Sequence, residues 1–89
     1  MKTVHLLISG KVQGVFFRAQ AKHVAERYNI KGWIKNTQDA KVEALITGET
    51  ANVDEFIKWC KTGPEEAKVD NISISPMPET KFDKFQVSR

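Results

Sequence analysis

Cysteine is almost missing from this chain, with one, Cys60, in 89 residues. A lone thiol forms no internal disulfide and joins no cysteine metal cluster, so a disulfide scaffold is excluded and a reducing compartment is expected. Long apolar runs are missing too. The longest strictly apolar run is three residues, as in Leu6-Leu7-Ile8, against the roughly 20 needed to cross a bilayer. That stretch is also too short for a signal-peptide core, and no small-residue cleavage site follows it, so a cytoplasmic protein without a membrane partner is expected. Only two histidines are present, His5 and His23. They fall in different elements with no partner at ligand spacing, so no metal site is expected. No internal repeat, linker or low-complexity segment interrupts the chain. What remains is ordinary: 40% hydrophobic and 28% charged residues, a globular balance. The length predicts a single domain spanning residues 1–89, one that buries about 60–65% of its unfolded surface around one modest core.

The net charge of +3 is unevenly spread. Residues 1–36 carry seven basic residues against one acid, Glu26, a net +6, whereas residues 37–89 carry seven basic and ten acidic residues, a net −3. This asymmetry points to an anion handled by the first third of the chain. The alternative for any single lysine is a solvated surface charge.

Hydrophobic periodicity sets the elements. Val4, Leu6 and Ile8 alternate with His5, Leu7 and Ser9, the period of a strand. Phe17, Ala21, Val24, Ala25 and Tyr28 form one stripe of a helix, which Asn29 can close in the left-handed conformation. Ile30–Lys35 reads as a second strand. Val42, Ala44 and Ile46 alternate with Lys41, Glu43 and Leu45 as a third, joined to the second by a turn over residues 36–40. A second helix is predicted from the cap Asn52 with Glu55 three residues on, placing Asp54 and Glu55 in its first turn, and Val53, Phe56, Ile57 and Cys60 form its apolar stripe. Gly63-Pro64 ends it, with Gly63 as a left-handed cap. Val69–Ser75 is a fourth strand that Pro76-Met77-Pro78 should stop. Phe85 and Val87 mark a short last strand. The order β-α-β-β-α-β predicts an α+β, ferredoxin-like split β-α-β sandwich: an antiparallel sheet with two helices on one face.

The most informative stretch is Ile8-Ser9-Gly10-Lys11-Val12-Gln13-Gly14-Val15-Phe16-Phe17-Arg18. A strand ends, a loop with two glycines turns, and a helix begins. The first helical turn leaves N–H groups without partners, and the helix dipole adds partial positive charge there. Glycines let successive N–H groups curl into one concavity. The planar guanidinium of Arg18 fits two phosphate oxygens at once. The loop has neither the GxxxxGK[ST] of a P-loop nor the GxGxxG of a dinucleotide site. The plainer reading is a tight turn with Arg18 in solvent.

Asn36, at the end of Gly32-Trp33-Ile34-Lys35-Asn36, is the second candidate. Near the glycine loop its carboxamide could accept a hydrogen bond from a water and donate one to an oxyanion; otherwise it starts a turn. His23 reads as a helix-flank residue. Cys60, Trp33 and Trp59 read as packing residues.

Two segments together resemble a known family. Gly10-Lys11-Val12-Gln13-Gly14-Val15-Phe16-Phe17-Arg18 closely resembles the first signature of the acylphosphatases, and Gly32-Trp33-Ile34-Lys35-Asn36 resembles their second. Their spacing, the length and the element order are similar as well. The resemblance implies hydrolysis of the carboxyl–phosphate anhydride of a small acyl phosphate, without metal or cofactor. It implies that Arg18 and the backbone N–H groups of Gln13, Gly14, Val15, Phe16, Phe17 and Arg18 hold the phosphate, with inorganic phosphate or sulfate able to occupy the same loop. It implies that Asn36 positions the attacking water. A monomer without nucleic-acid partners is expected.

Three positions depart from the family pattern. Ile34 replaces a smaller residue, Asn29 stands where Gly is frequent, and Ala40 stands in the hairpin turn where Asp-Gly is usual, although Ala tolerates a positive φ poorly. Two other functions fit the fold class. One is an RNA-binding module, which stacks bases on strand aromatics; the exposed face expected here carries His5, Leu7, Lys41, Glu43 and Leu45 instead. The other is a non-catalytic anion-binding protein.

Overall fold

The computed structural model describes residues 1–88; Arg89, the last residue of the expected domain, lies outside them. In chain order the elements are β1 (Lys2–Lys11), α1 (Phe17–Arg27), β2 (Lys31–Asn36), β3 (Val42–Gly48), α2 (Thr50–Thr62), β4 (Lys68–Met77) and β5 (Phe85–Val87). The strands form one sheet in the order β4-β1-β3-β2-β5. The first four pair antiparallel, the split arrangement expected from the element order. The short β5 adds a parallel pairing to β2, Gly32 to Phe85 and Ile34 to Val87, which makes the sheet mixed.

The period of two in β1 and β3 sends one set of side chains to the helices. Val4, Leu6, Ile8, Val42, Ala44 and Ile46 are buried there, facing Phe17, Ala21, Val24 and Ala25 of α1 and Val53, Phe56, Ile57 and Cys60 of α2. Burial raises the Cys60 thiol pKa far above its ordinary value, so Cys60 acts as a small apolar residue. Trp59 packs on Phe17 with ring centroids 5.2 Å apart. The other sheet face is half-open. His5 and Leu7 of β1 and Glu43 and Leu45 of β3 stand on it, with His5 Nε2 bonded to Glu43 Oε2 at 2.7 Å. At one end Thr3 and Thr47 are buried and joined by a 2.9 Å hydrogen bond. The Thr80 N–H also donates to Thr3 Oγ1, so the segment after β4 covers that end.

The end of α1 follows its sequence. Asn29 has φ 55°, and Asn29 and Ile30 N–H groups bond Glu26 and Ala25 carbonyls, a Schellman closure. Three expectations need correction. Asn52 is not the cap of α2. The helix begins at Thr50 after Glu49, whose carbonyl accepts from Val53 N–H, and Glu49 makes no side-chain capping bond. Gly48 ends β3 with a single linking residue, so the helix has to start at once to bring Val53 onto the sheet. Asp54 and Glu55 therefore lie beyond the first turn, and Asp54 pairs with Lys2 Nζ at 3.0 Å. Pro76 does not stop β4, which runs to Met77 with Val4 opposite Pro76. β4 is an edge strand, where a residue without an N–H leaves no partner strand unserved. Gly63 takes the expected positive φ of 70°, but with ψ −171°, an extended rather than left-handed helical conformation.

Candidate active site

The loop between β1 and α1 is anchored by side chains and presents its backbone. β1 shifts register between Ser9 and Gly10. Gly10 comes so close to β4 that a Cβ there would sit 2.1 Å from the Lys68 carbonyl oxygen. Beyond it, Val12, Val15 and Phe17 are buried while Gly14 and Phe16 are exposed. The two exposed residues both have positive φ, 73° at Gly14 and 64° at Phe16. For a bulky residue such as Phe16 this is an outlier, held in place by the buried residues on either side. Strain of this kind concentrates at functional sites. A Cβ on Gly14 would meet nothing within 4 Å, so its glycine serves conformation and open space rather than packing.

α1 starts at Phe17 with no side-chain cap and no acid in its first turn. Its first N–H groups lack intrahelical partners and sit at the positive end of the helix dipole. Arg18 follows immediately. Its Nη1 donates to the Ser88 carbonyl at 2.6 Å, and Ser88 N–H in turn donates to the Ile34 carbonyl, carrying the β5–β2 pairing one residue further. The guanidinium is thus fixed by the C-terminal strand with the rest of its donor fork unspent on that bond.

Sheet register settles where Asn36 lies. Val42 of β3 faces Ile8 of β1 on one side and Asn36 of β2 on the other. Asn36 is therefore in register with Ile8, two strands over with β3 between, about 10 Å across two strand spacings. Its Oδ1 is buried without a hydrogen-bond partner. Asn36 and Arg18 line the same open concavity of about 680 Å³, together with Val12, Gly14, Phe16 and Phe17.

The loop residues named from the sequence divide into two groups. Gly14, Phe16, Phe17 and Arg18 line the concavity, whereas Gln13 and Val15 do not. The Gln13 carboxamide points the other way, Nε2 donating to the carbonyls of Thr37 at 2.9 Å and Lys41 at 2.8 Å, across the β2–β3 turn. Thr37 shapes that turn. Its N–H bonds the Lys41 carbonyl at 2.9 Å, its Oγ1 accepts from Lys41 N–H at 3.0 Å, and its hydroxyl bonds Asp39, which lowers the Asp39 pKa. Ala40 takes the disfavoured positive φ, 67°.

Sequence reasoning missed the walls. Lys22, His23 and Glu26 of α1 and Val87 of β5 complete the concavity. Spacings of four from Arg18 to Lys22 to Glu26 could have put these three on one helix face; nothing local could have brought Val87 or Ser88 there. Among the described residues no three His, Cys, Asp or Glu side chains come together to hold a metal ion. No helix is long and apolar enough to cross a membrane. The arrangement can hold a tetrahedral oxyanion through N–H groups and a guanidinium, beside the neutral amide of Asn36.

Comparison with known proteins fits this chemistry. The acylphosphatase family model matches residues 4–87. The acylphosphatase of Syntrophus aciditrophicus is 40% identical over 88 residues, 98% of this chain and 92% of that protein. Crystal structures of acylphosphatase from Bacillus subtilis (TM-score 0.96, 29% identity, 100% of both chains) and of an acylphosphatase from Coxiella burnetii (TM-score 0.94, 33% identity, 98% and 92%) are similar throughout.

Proposed function

The chain belongs to the acylphosphatase family, and from that premise we propose how it hydrolyses the carboxyl–phosphate anhydride of an acyl phosphate. The backbone N–H groups from Gln13 to Arg18 and the Arg18 guanidinium hold the phosphoryl oxygens. Asn36 Oδ1 accepts a hydrogen bond from water and aims its oxygen at phosphorus. The water oxygen bonds to phosphorus, and the bond from phosphorus to the acyl oxygen breaks. The carboxylate leaves with the electron pair, and a phosphoryl oxygen of the substrate takes the water's proton.

The observation that carries this reading is that Asn36 lines one concavity with Arg18 and the glycine loop. Positioning and charge stabilisation suffice for phosphoryl transfer. A carboxylate leaves readily, so no general acid is required. The same reading has the chain act as a monomer in the cytoplasm, without cofactor, metal or nucleic acid, and has inorganic phosphate or sulfate compete for the loop. On the half-open sheet face His5 and Glu43 are bonded to one another, and the one aromatic there among the described residues, Trp33, has Lys35 Nζ 5.4 Å from its ring centroid, a single ring rather than a pair for stacking bases.

The test is hydrolysis of benzoyl phosphate followed spectrophotometrically with a chelator present. Turnover without metal is expected. Inorganic phosphate binding without turnover would point to the non-catalytic anion-binding reading. A pH–rate profile governed by a protein group titrating near neutrality would overturn the proton route.

A further inference from the structure

The Gln13 side chain belongs to the anion loop by sequence, yet it faces away from the anion site. Both of its carboxamide N–H bonds go to carbonyls of the turn that follows Asn36. Thr37, one of the acceptors, is bonded directly to Asn36 in the chain. Lys41, the other, closes the turn: its carbonyl also takes the Thr37 N–H. The two bonds span 24 and 28 residues of sequence. They join the segment whose backbone would hold the phosphoryl group to the segment whose side chain would hold the water.

Nothing else among the described hydrogen bonds couples loop 12–16 to the turn 37–41 in this way. The β1–β3 pairing ends at Ile8 opposite Val42, just short of both segments. Asn36 itself is held opposite Val42, so what is left to fix beyond that rung is where loop 12–16 sits against the Asn36 end of the sheet; the turn that Gln13 bonds carries a strained Ala40 at φ 67°. An amide with two donors and a reach of three bonds from Cα is suited to pin two carbonyls at once. A misplacement of about 1 Å at such a site costs about a hundredfold in rate.

We propose that Gln13 is a positioning residue: its carboxamide sets the distance between the anion cradle and Asn36, and so acts on turnover through Asn36 without touching the substrate by its side chain. This rests on the roles proposed above for Arg18 and Asn36. It gives the Gln13 side chain a role toward the turn, separate from the anion-holding role proposed above for the main chain of the loop.

Gln13→Met keeps length and bulk but removes both donors. Its kcat on benzoyl phosphate is expected to fall about 10- to 100-fold, while the inhibition constant of inorganic phosphate stays within about threefold, because the N–H groups and Arg18 remain. Gln13→Glu places a carboxylate against two carbonyl oxygens at neutral pH. Its kcat relative to the native chain should rise as pH falls and protonation restores one donor. The deciding measurement is the double variant. In an Asn36→Ala background, Gln13→Met should lower kcat by less than about twofold further, since the group it positions is already gone. Full additivity of the two effects would overturn the proposal, as would equal losses in kcat and in phosphate binding by Gln13→Met. If Asn36→Ala itself left kcat unchanged, the premise about Asn36 would fail; a slow Asn36→Ala with additive Gln13→Met would sink the Gln13 role alone.

Discussion

The fold uses the same connection twice, a strand running into a helix that lies on one sheet face, and only one of the two has the geometry of the proposed site. Between β1 and α1 the chain takes five residues, Val12 to Phe16, with positive φ at Gly14 and Phe16. The helix it reaches has no acid in its first turn and has Arg18 as its second residue. Between β3 and α2 it takes one residue, Glu49, in an extended conformation (φ −58°, ψ 140°). The second helix thus carries a carboxylate at its N-terminus and leaves no room for the backbone to curl. Both helix ends have free N–H groups and the same dipole. Under the proposed function, the difference teaches that the dipole does not make an anion site by itself; loop length, two left-handed residues and an anchored guanidinium do.

Five substitutions break or sharpen that contrast, in falling order of effect. Arg18→Ala removes the fork from the first junction and should lower kcat/KM on benzoyl phosphate by about a thousandfold or more, with weakened phosphate inhibition. Arg18→Lys should recover little, because a point charge cannot bond two oxygens in plane. Asn36→Ala leaves the cradle intact and should lower kcat by about a hundredfold at nearly constant phosphate affinity; equal losses in both would make Asn36 a substrate anchor. Gly14→Ala meets no steric obstacle but must hold φ 73°. It should cost about 1 kcal/mol in denaturant unfolding and raise KM as the curl relaxes. The matching change at the other junction, Glu49→Ala, should leave kcat/KM unchanged and stability within about 0.5 kcal/mol, since no capping bond is lost.

The smallest effect lies on the far face of the sheet. The His5 hydrogen bond holds the Glu43 carboxyl below its ordinary value of 4.5, with Lys35 adding to it. A carboxyl whose folded pKa is depressed contributes stability above its unfolded pKa and loses it as pH falls through the folded one. Urea unfolding of the native chain and of Glu43→Gln should therefore differ at pH 7, by less than about 1 kcal/mol for so exposed a pair. The two should converge only once the pH falls below the depressed folded pKa of Glu43, with activity unchanged at pH 7.

Much of this was legible in the chain. Alternation in β1 and β3, the stripe of α1, the closure at Asn29 and the glycine loop before Arg18 are local patterns, and local patterns can be read. The start of α2 was misread because Asn52 and Glu55 imitate a capping box, whereas the single residue after Gly48 forces an earlier start. The run of β4 through Pro76 depends on its being an edge strand, a property of the sheet order rather than of the segment. The site's two long links are not local either. Arg18 meets Ser88 across 70 residues, and Gln13 meets the β2–β3 turn across 24 and 28. Val42, which brings Asn36 beside the loop, shows nothing in sequence beyond a buried strand residue. Composition and period predict which face is buried; only register says which residues become neighbours.

The contrast between the two junctions is tested most directly by titrating inorganic phosphate into the isotopically labelled protein and following backbone amide resonances. The amides from Gly14 to Arg18 should shift together and saturate with one dissociation constant, while those of Thr50, Ala51 and Asn52 stay still. Equal shifts at both helix starts, or saturation with the Gly14–Arg18 amides unmoved, would contradict the account.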